Sequence, residues 1–118
     1  MDYLYCLKLK PKNRWYVGIT PEWRWHERHE EHASGNGAQW VRRHGYDKVV
    51  WKKLVPTAEA RKLEDVEVCN ILRKHGLNSA RGGLFNLRSD CTDMPSWIVR
   101  PYFEHAAEIM GATAVSSQ

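Results

Sequence analysis

Residues 3–20 read YLYCLKLKPKNRWYVGIT, and this stretch decides the fold. Its two ends alternate side chains with the period of two that predicts β-strands, and residues 10–13 predict the turn between them. A tight turn there pairs Tyr5 with Gly18. In this register Tyr5 and Tyr16 lie on one face of a hairpin, and Gly18 leaves room beside the Tyr5 ring. A slip of one residue would place the two rings on opposite faces.

The rest of the chain predicts mainly helices. Thr20 and Pro21 are typical of an N-cap and a first helical position, and Gly76 is typical of a helix end. Predicted helices span residues 21–33, 38–44, 57–75 and 96–110, and further strands span residues 48–55 and 84–87. Glu64 is predicted on the more polar side of the third helix, although the apolar Val68 lies one turn beyond it.

Composition and charge favour a globular protein with an anionic partner. The chain has 118 residues, of which 42% are hydrophobic and 27% charged, and its pI is about 9.1. Residues 1–88 hold 17 Lys/Arg against 10 Asp/Glu, a net charge of +7, whereas residues 89–118 have a net charge of −3. A basic body attracts nucleic acid through counterion release, although small anions fit as well.

The cysteines and the hydropathy favour an intracellular protein. Cys6, Cys69 and Cys91 are widely spaced and form no zinc-ligand pattern. No stretch approaches the ~18 apolar residues of a membrane-spanning helix, and the first residues lack the regions of a signal peptide. We therefore expect a reducing compartment, either cytoplasmic or nucleoid-associated, and no membrane partner.

The order of several short motifs resembles the GIY-YIG nuclease superfamily. In chain order the motifs are Tyr3-Leu4-Tyr5, Tyr16-Val17-Gly18, Arg28-x-x-x-His32 and a helical Glu64. Residues 35–40, GNGAQW, are similar to the connector found in small members. The resemblance covers roughly residues 2–87. Leu4 replaces the family's isoleucine and Tyr3 its glycine, whereas the terminal Tyr5 is retained.

The resemblance implies a fold and a division of the chain. The fold is an α/β (α+β) domain with a small three-stranded antiparallel sheet flanked by helices. Residues 1–88 would form the nuclease domain. By their charge and pattern, residues 89–118 would form an acidic C-terminal extension with one extra helix and a frayed end, which completes the core, occludes the basic face, or binds a second copy or a targeting partner.

The residue types match the needs of phosphodiester hydrolysis. Glu64 would hold one Mg²⁺ or Mn²⁺, since a magnesium site needs only one or two carboxylates besides water and phosphate oxygens. Tyr5 would be the general base, with a pKa pulled below the usual ~10 by nearby cations. Tyr16 would orient the water or the phosphate. Arg28 would neutralise phosphate oxygens in the transition state, and His32 would relay protons.

Three roles have two candidate residues each. Arg24 competes with Arg28, because it lies four residues earlier in the same predicted helical row. Glu67 competes with Glu64 one turn further along the helix. His32 competes with Tyr5 as the proton acceptor, since imidazole has the better intrinsic pKa.

Several residues are candidates for nucleic-acid contact. They are Arg24, Arg42, Arg43, Lys52, Arg81 and Asn86. Arg81 precedes two glycines whose N–H groups could face a phosphate, and Asn86 best matches the family's late asparagine. Trp23, Trp25 and Trp40 lie near basic residues, and we expect at most one or two of them to stack on bases.

These features predict a metal-dependent endonuclease that cuts DNA, with RNA as the other candidate substrate. A domain of this size has little surface for long sequence readout, so we expect structure-selective or weakly sequence-specific cutting. The alternatives are a non-catalytic nucleic-acid-binding or protein-interaction module that keeps the fold, and a protein that works through its C-terminal extension.

Overall fold

The computed structural model describes residues 1–76 and 78–83. Its elements are β1 (Asp2–Leu9), β2 (Trp15–Pro21), a 3-10 helix (Glu22–Arg24), α1 (Trp25–Ala33), α2 (Gln39–His44), β3 (Tyr46–Val55), α3 (Thr57–His75) and β4 (Ala80–Arg81). The α+β class is therefore confirmed. The strand predicted at residues 84–87 and the helix predicted at residues 96–110 lie outside the described residues, as does Asn86.

Within the described residues the sheet has four strands in the order β3-β1-β2-β4. β1 runs antiparallel to both β2 and β3, as expected, but β4 is an additional strand that runs parallel to β2. The sheet is thus mixed and not purely antiparallel. β4 and the residue before it cover the outer edge of β2, where the Trp15 N–H donates to the Ser79 carbonyl over 2.7 Å.

The hairpin register is the one predicted from the sequence. Tyr5 faces Gly18 and Leu7 faces Tyr16 across β1 and β2. Because side chains alternate between the two faces of a strand, this register puts Tyr5 and Tyr16 on the same face. The two rings lie 6.4 Å apart between centroids.

The first helix begins later than predicted. Thr20 is no N-cap, because it is buried in β2 and pairs with Tyr3. The strand continues to Pro21, a 3-10 turn follows, and α1 starts only at Trp25. Arg24 therefore lies in the 3-10 turn and not in an α-helical row with Arg28.

Two hydrophobic layers cover the sheet. One contains Leu4, Cys6 and Val17 of the sheet with Ala60, Val68 and Leu72 of α3. The other contains Tyr5, Leu7, Leu9 and Tyr16 of the sheet with Trp25, Trp40 and Val41 of α1 and α2. Four consecutive residues of β1 are buried because both faces of the strand are covered. Within the described residues, no helix is both long and apolar enough to cross a membrane.

Glu64 lies on the buried side of α3, which corrects the prediction of a polar position. Ala60, Val68 and Leu72 are spaced by multiples of four residues from Glu64, so all four side chains share one row of the helix. That row faces the sheet, and Glu64 is only 8% exposed. A carboxylate in an apolar row is costly, which marks Glu64 for a role other than packing.

Candidate active site

Tyr5 and His32 form a buried hydrogen-bonded pair between the sheet and α1. The Tyr5 hydroxyl and His32 Nε2 lie 2.8 Å apart. The Tyr16 ring lies 5.3 Å from the His32 ring, measured between centroids, so it completes a three-ring cluster. Tyr5 and His32 are buried almost completely. The structure thus brings together three of the side chains singled out from the sequence.

Gly18 makes this cluster possible. A Cβ on Gly18 would lie 2.5 Å from the Tyr5 hydroxyl oxygen and 2.9 Å from Tyr16 Cε2. Both distances are shorter than real Cβ contacts allow, so any side chain here would displace one of the tyrosines. Gly18 provides the space beside Tyr5 that the register predicted.

Burial raises the pKa of Tyr5, and this reverses our expectation of a lowered value. The neighbouring Tyr16 also raises it, and the Arg28 guanidinium opposes the rise without cancelling it. The pKa of Tyr16 is raised by burial too, again against the effect of Arg28. The sequence indicated the nearby cations but not the loss of solvent around the phenols, and this desolvation has the larger effect on their pKa.

His32 is held in its neutral form. Burial and the positive charge of Arg28 lower its pKa to about 4, against a smaller opposing effect of Glu31. Its Nδ1 is buried and has no hydrogen-bond partner among the described residues. A Cβ on Gly37 would overlap this Nδ1, so the connector after α1 closes tightly over the ring. A neutral His32 can accept the Tyr5 proton at Nε2.

Arg28 is the arginine that faces the tyrosines. Its charge acts on the pKa of both Tyr5 and Tyr16, whereas Arg24 appears in neither environment. Arg24 instead donates to Glu31 Oε2 over 2.7 Å and lies 3.4 Å from Glu27 Oε1. The structure therefore favours Arg28 over Arg24 on proximity.

Glu31 is a member of the site that sequence reasoning missed. Its Oε1 accepts from Arg28 Nη1 over 2.8 Å, while its Oε2 binds Arg24. One carboxylate thus bridges both candidate arginines. The spacing of three residues from Arg28 was the available signal, since side chains three apart meet on a helix.

The Glu64 carboxylate on α3 acts electrostatically on the tyrosines. Its burial raises its pKa from 4.5 to about 7, and the adjacent Asp65 contributes to the rise. A hydrogen bond from the Gly83 N–H opposes it. The charge of Glu64 also acts on Tyr5 and Tyr16 and raises the pKa of both. Glu64 therefore belongs to the same electrostatic neighbourhood as the tyrosines, although it comes from the other layer.

The residues around Glu64 fit a one-ion divalent site. No group of three or more His, Cys, Asp or Glu side chains that could enclose an ion occurs in residues 1–76 and 78–83. A buried carboxylate with one acidic neighbour, Asp65, matches a Mg²⁺ or Mn²⁺ ion that keeps most of its water ligands. Glu67 is less suited to hold an ion, because its Oε1 lies 3.7 Å from Lys53 Nζ in a partly exposed ion pair.

The basic residues predicted to contact nucleic acid have different surroundings. Arg42 and Arg43 are exposed on α2 and line, with Gly35 and Gln39, a cavity of about 590 Å³. Lys52 is exposed on β3, with its Nζ 4.5 Å from the centre of the Trp25 ring.

Arg81 is buried, in contrast to the exposed phosphate contact suggested by the sequence. Its guanidinium carbon lies 4.2 Å from the centre of the Trp40 ring, and its Nη1 donates to the Ala80 carbonyl over 2.7 Å. Trp25 and Trp40 are buried as well, whereas Trp23 is 82% exposed. Of these three tryptophans, only Trp23 presents its ring to solvent.

Comparisons with known proteins add no family assignment. The chain matches no family model, no curated protein and no solved structure. Function must therefore be argued from the site itself.

Proposed function

We propose that the protein is a metal-dependent endonuclease with a GIY-YIG-like fold. The observation that carries the proposal is the buried Tyr5–His32 hydrogen bond beside Arg28. A neutral histidine bonded to a phenol next to a guanidinium suits the transfer of a proton beside a bound anion. Phosphodiester cleavage needs a proton acceptor and a cation at that place.

Arg28 would bind the scissile phosphate. Its side chain is about one-quarter exposed, so one face can reach solvent while the other faces the tyrosines. A guanidinium can donate two parallel hydrogen bonds to phosphate oxygens. Charge that develops on these oxygens in the transition state would be stabilised by this fixed cation.

Tyr5 and His32 would carry the proton of the attacking water. As the Tyr5 oxygen accepts a proton from water, its own proton can pass to His32 Nε2 along the existing 2.8 Å hydrogen bond. No free phenolate is then required, which suits the raised pKa of Tyr5. The charge of Arg28 opposes protonation of His32. A phosphate on Arg28 would offset that charge and make His32 a better acceptor.

Glu64 would hold one Mg²⁺ or Mn²⁺ ion, with Asp65 as a neighbouring carboxylate. The bound ion would supply Lewis-acid stabilisation of a phosphate or leaving oxygen. A cation beside Glu64 favours the ionised carboxylate, so it offsets the cost of burying that charge.

The proposed substrate is DNA with branched, nicked or flexible structure. Arg42 and Arg43 line a cavity beside the connector that covers His32, and Lys52 and Trp23 are exposed. These groups suit phosphate contacts and stacking on an unpaired base, neither of which reads sequence. RNA is the other polymer that the same contacts would accept.

A cleavage panel tests the proposal. Purified protein is incubated with branched, nicked and linear DNA in Mg²⁺ or Mn²⁺, beside Glu64→Gln, Tyr5→Phe and the control Glu67→Gln. We expect wild-type and Glu67→Gln protein to cut and the other two variants to lose at least ~100-fold in rate. Wild-type protein that cuts nothing, or cuts as well with Glu64→Gln and Tyr5→Phe, contradicts the proposal.

One observation favours a second candidate, a non-catalytic nucleic-acid-binding module. Tyr5 is 0% exposed, so water reaches its hydroxyl only if neighbouring side chains move. Binding of DNA without cutting, at an affinity that Glu64→Gln leaves unchanged, would select this candidate.

A further inference from the structure

The Gly82–Gly83 turn contacts both β2, the strand that carries Tyr16, and α3, the helix that carries Glu64. It follows β4, where Arg81 pairs with Tyr16. A Cβ on Gly82 would overlap the Val17 carbonyl oxygen and lie 3.1 Å from Val68 Cγ2. Gly82 is therefore wedged between the backbone of β2 and a side chain of α3, where no other residue fits.

Gly83 faces the carboxylates of α3. A Cβ on Gly83 would overlap Asp65 Oδ1 and lie 3.4 Å from Glu64 Oε1. The Gly83 N–H donates a hydrogen bond to the Glu64 carboxylate. Its φ of +54° is in the left-handed region, which residues with a Cβ rarely adopt. Space and backbone conformation both require glycine here, and the hydrogen bond comes from its backbone N–H.

We propose that Gly83 is a positioning residue, whose N–H holds the Glu64 carboxylate in one orientation while Gly82 fixes the turn against β2. The inference rests on the proposed function, because the orientation of Glu64 matters for an ion only if Glu64 binds one. A free glutamate side chain loses rotamer entropy when an ion fixes it. The Gly83 hydrogen bond fixes it before an ion arrives, which favours ion binding.

Amide hydrogen exchange of the full chain without metal tests the hydrogen bond. In Glu64→Ala we expect the Gly83 amide to exchange at least ~10-fold faster than in the wild type. The Gly76 amide, which donates to the Leu72 carbonyl over 2.8 Å, should keep its rate in both proteins. Equal exchange of Gly83 in the two proteins overturns the proposal.

Mn²⁺ affinity tests the consequence. Gly83→Ala is compared with Gly76→Ala, a matched control whose φ is +101° and whose Cβ would enter open space. We expect Gly83→Ala to weaken Mn²⁺ binding at least ~10-fold and to lower kcat without raising KM for branched DNA, with Gly76→Ala unaffected. Wild-type affinity in Gly83→Ala overturns the proposal. If Gly83→Ala does not fold, the exchange measurement decides alone.

Failure of the positioning role can be told apart from failure of the nuclease. Wild-type protein that neither binds Mn²⁺ nor cuts DNA overturns both. Wild-type protein that binds Mn²⁺ and cuts, together with a Gly83→Ala variant that does the same equally well, overturns the positioning role alone.

Discussion

Replacing Glu64 by glutamine is expected to stabilise the protein above neutral pH while removing its proposed activity. The folded state raises the pKa of this carboxyl from 4.5 to about 7, mainly by burial. An acid with a raised pKa in the folded state binds its proton more tightly there than in the unfolded chain. Its ionisation therefore destabilises the fold, with no penalty below about pH 4.5 and the full penalty above about pH 7.

The size of the effect follows from the two pKa values. At roughly 1.4 kcal/mol for each pH unit between 4.5 and about 7, the full penalty is about 3 kcal/mol. Glutamine has nearly the same shape and remains neutral, and its carbonyl can still accept from the Gly83 N–H. With about 1–3 kcal/mol per M urea for a small protein, the unfolding midpoint of Glu64→Gln should exceed that of the wild type by roughly 1–3 M.

Urea unfolding at about pH 4 and about pH 8.5 provides the measurement. The free energies of unfolding of wild type and Glu64→Gln should coincide at the lower pH and diverge at the higher one. Glu67→Gln serves as the control, because Glu67 is half-buried on the same helix, and its difference from the wild type should stay small. A wild type that equals or exceeds Glu64→Gln in stability at the higher pH refutes the reasoning.

Four further substitutions probe the tyrosine cluster and the two candidate arginines. Tyr5→Phe leaves the buried His32 Nε2 without its partner, so urea unfolding should show a loss of about 1–3 kcal/mol. Gly18→Ala forces the Tyr5 ring aside and should cost about 1–3 kcal/mol by the same assay, and unchanged stability would contradict the register. Arg28→Ala should slow single-turnover DNA cleavage by ~100-fold or more and Arg24→Ala by less than ~10-fold, and the reverse order would reassign the catalytic arginine.

Local patterns predicted much of the framework. Alternation in β1 and β2, together with the turn at residues 10–13, predicted the correct hairpin register. Gly76 predicted the end of α3. The helix start at Thr20 was wrong, because pairing with β1 keeps that residue in the sheet. A cap signal is a local preference, and strand pairing overrides it.

Properties that depend on tertiary contacts could not be predicted from the sequence. The parallel strand β4 spans two residues, too few for a periodic pattern. The direction of the pKa shift of Tyr5 depends on how much solvent the helices exclude, and a count of nearby charges does not include that effect. The apolar Val68, one turn from Glu64, indicated a buried row of the helix, but the charge of Glu64 suggested an exposed position.

The bridge formed by Glu31 determines how the site would respond to its substrate. With Arg28 already bound to a carboxylate, an incoming phosphate exchanges one anion for another instead of meeting an unpaired cation. Arg28 would then add little to ground-state affinity. Selectivity would arise later along the reaction, since a carboxylate carries one negative charge whereas the transition-state phosphorane carries more. Under the proposed function, Glu31 would thus compete with the phosphate for Arg28, and only an anion with more negative charge than a carboxylate would bind Arg28 more strongly than Glu31 does.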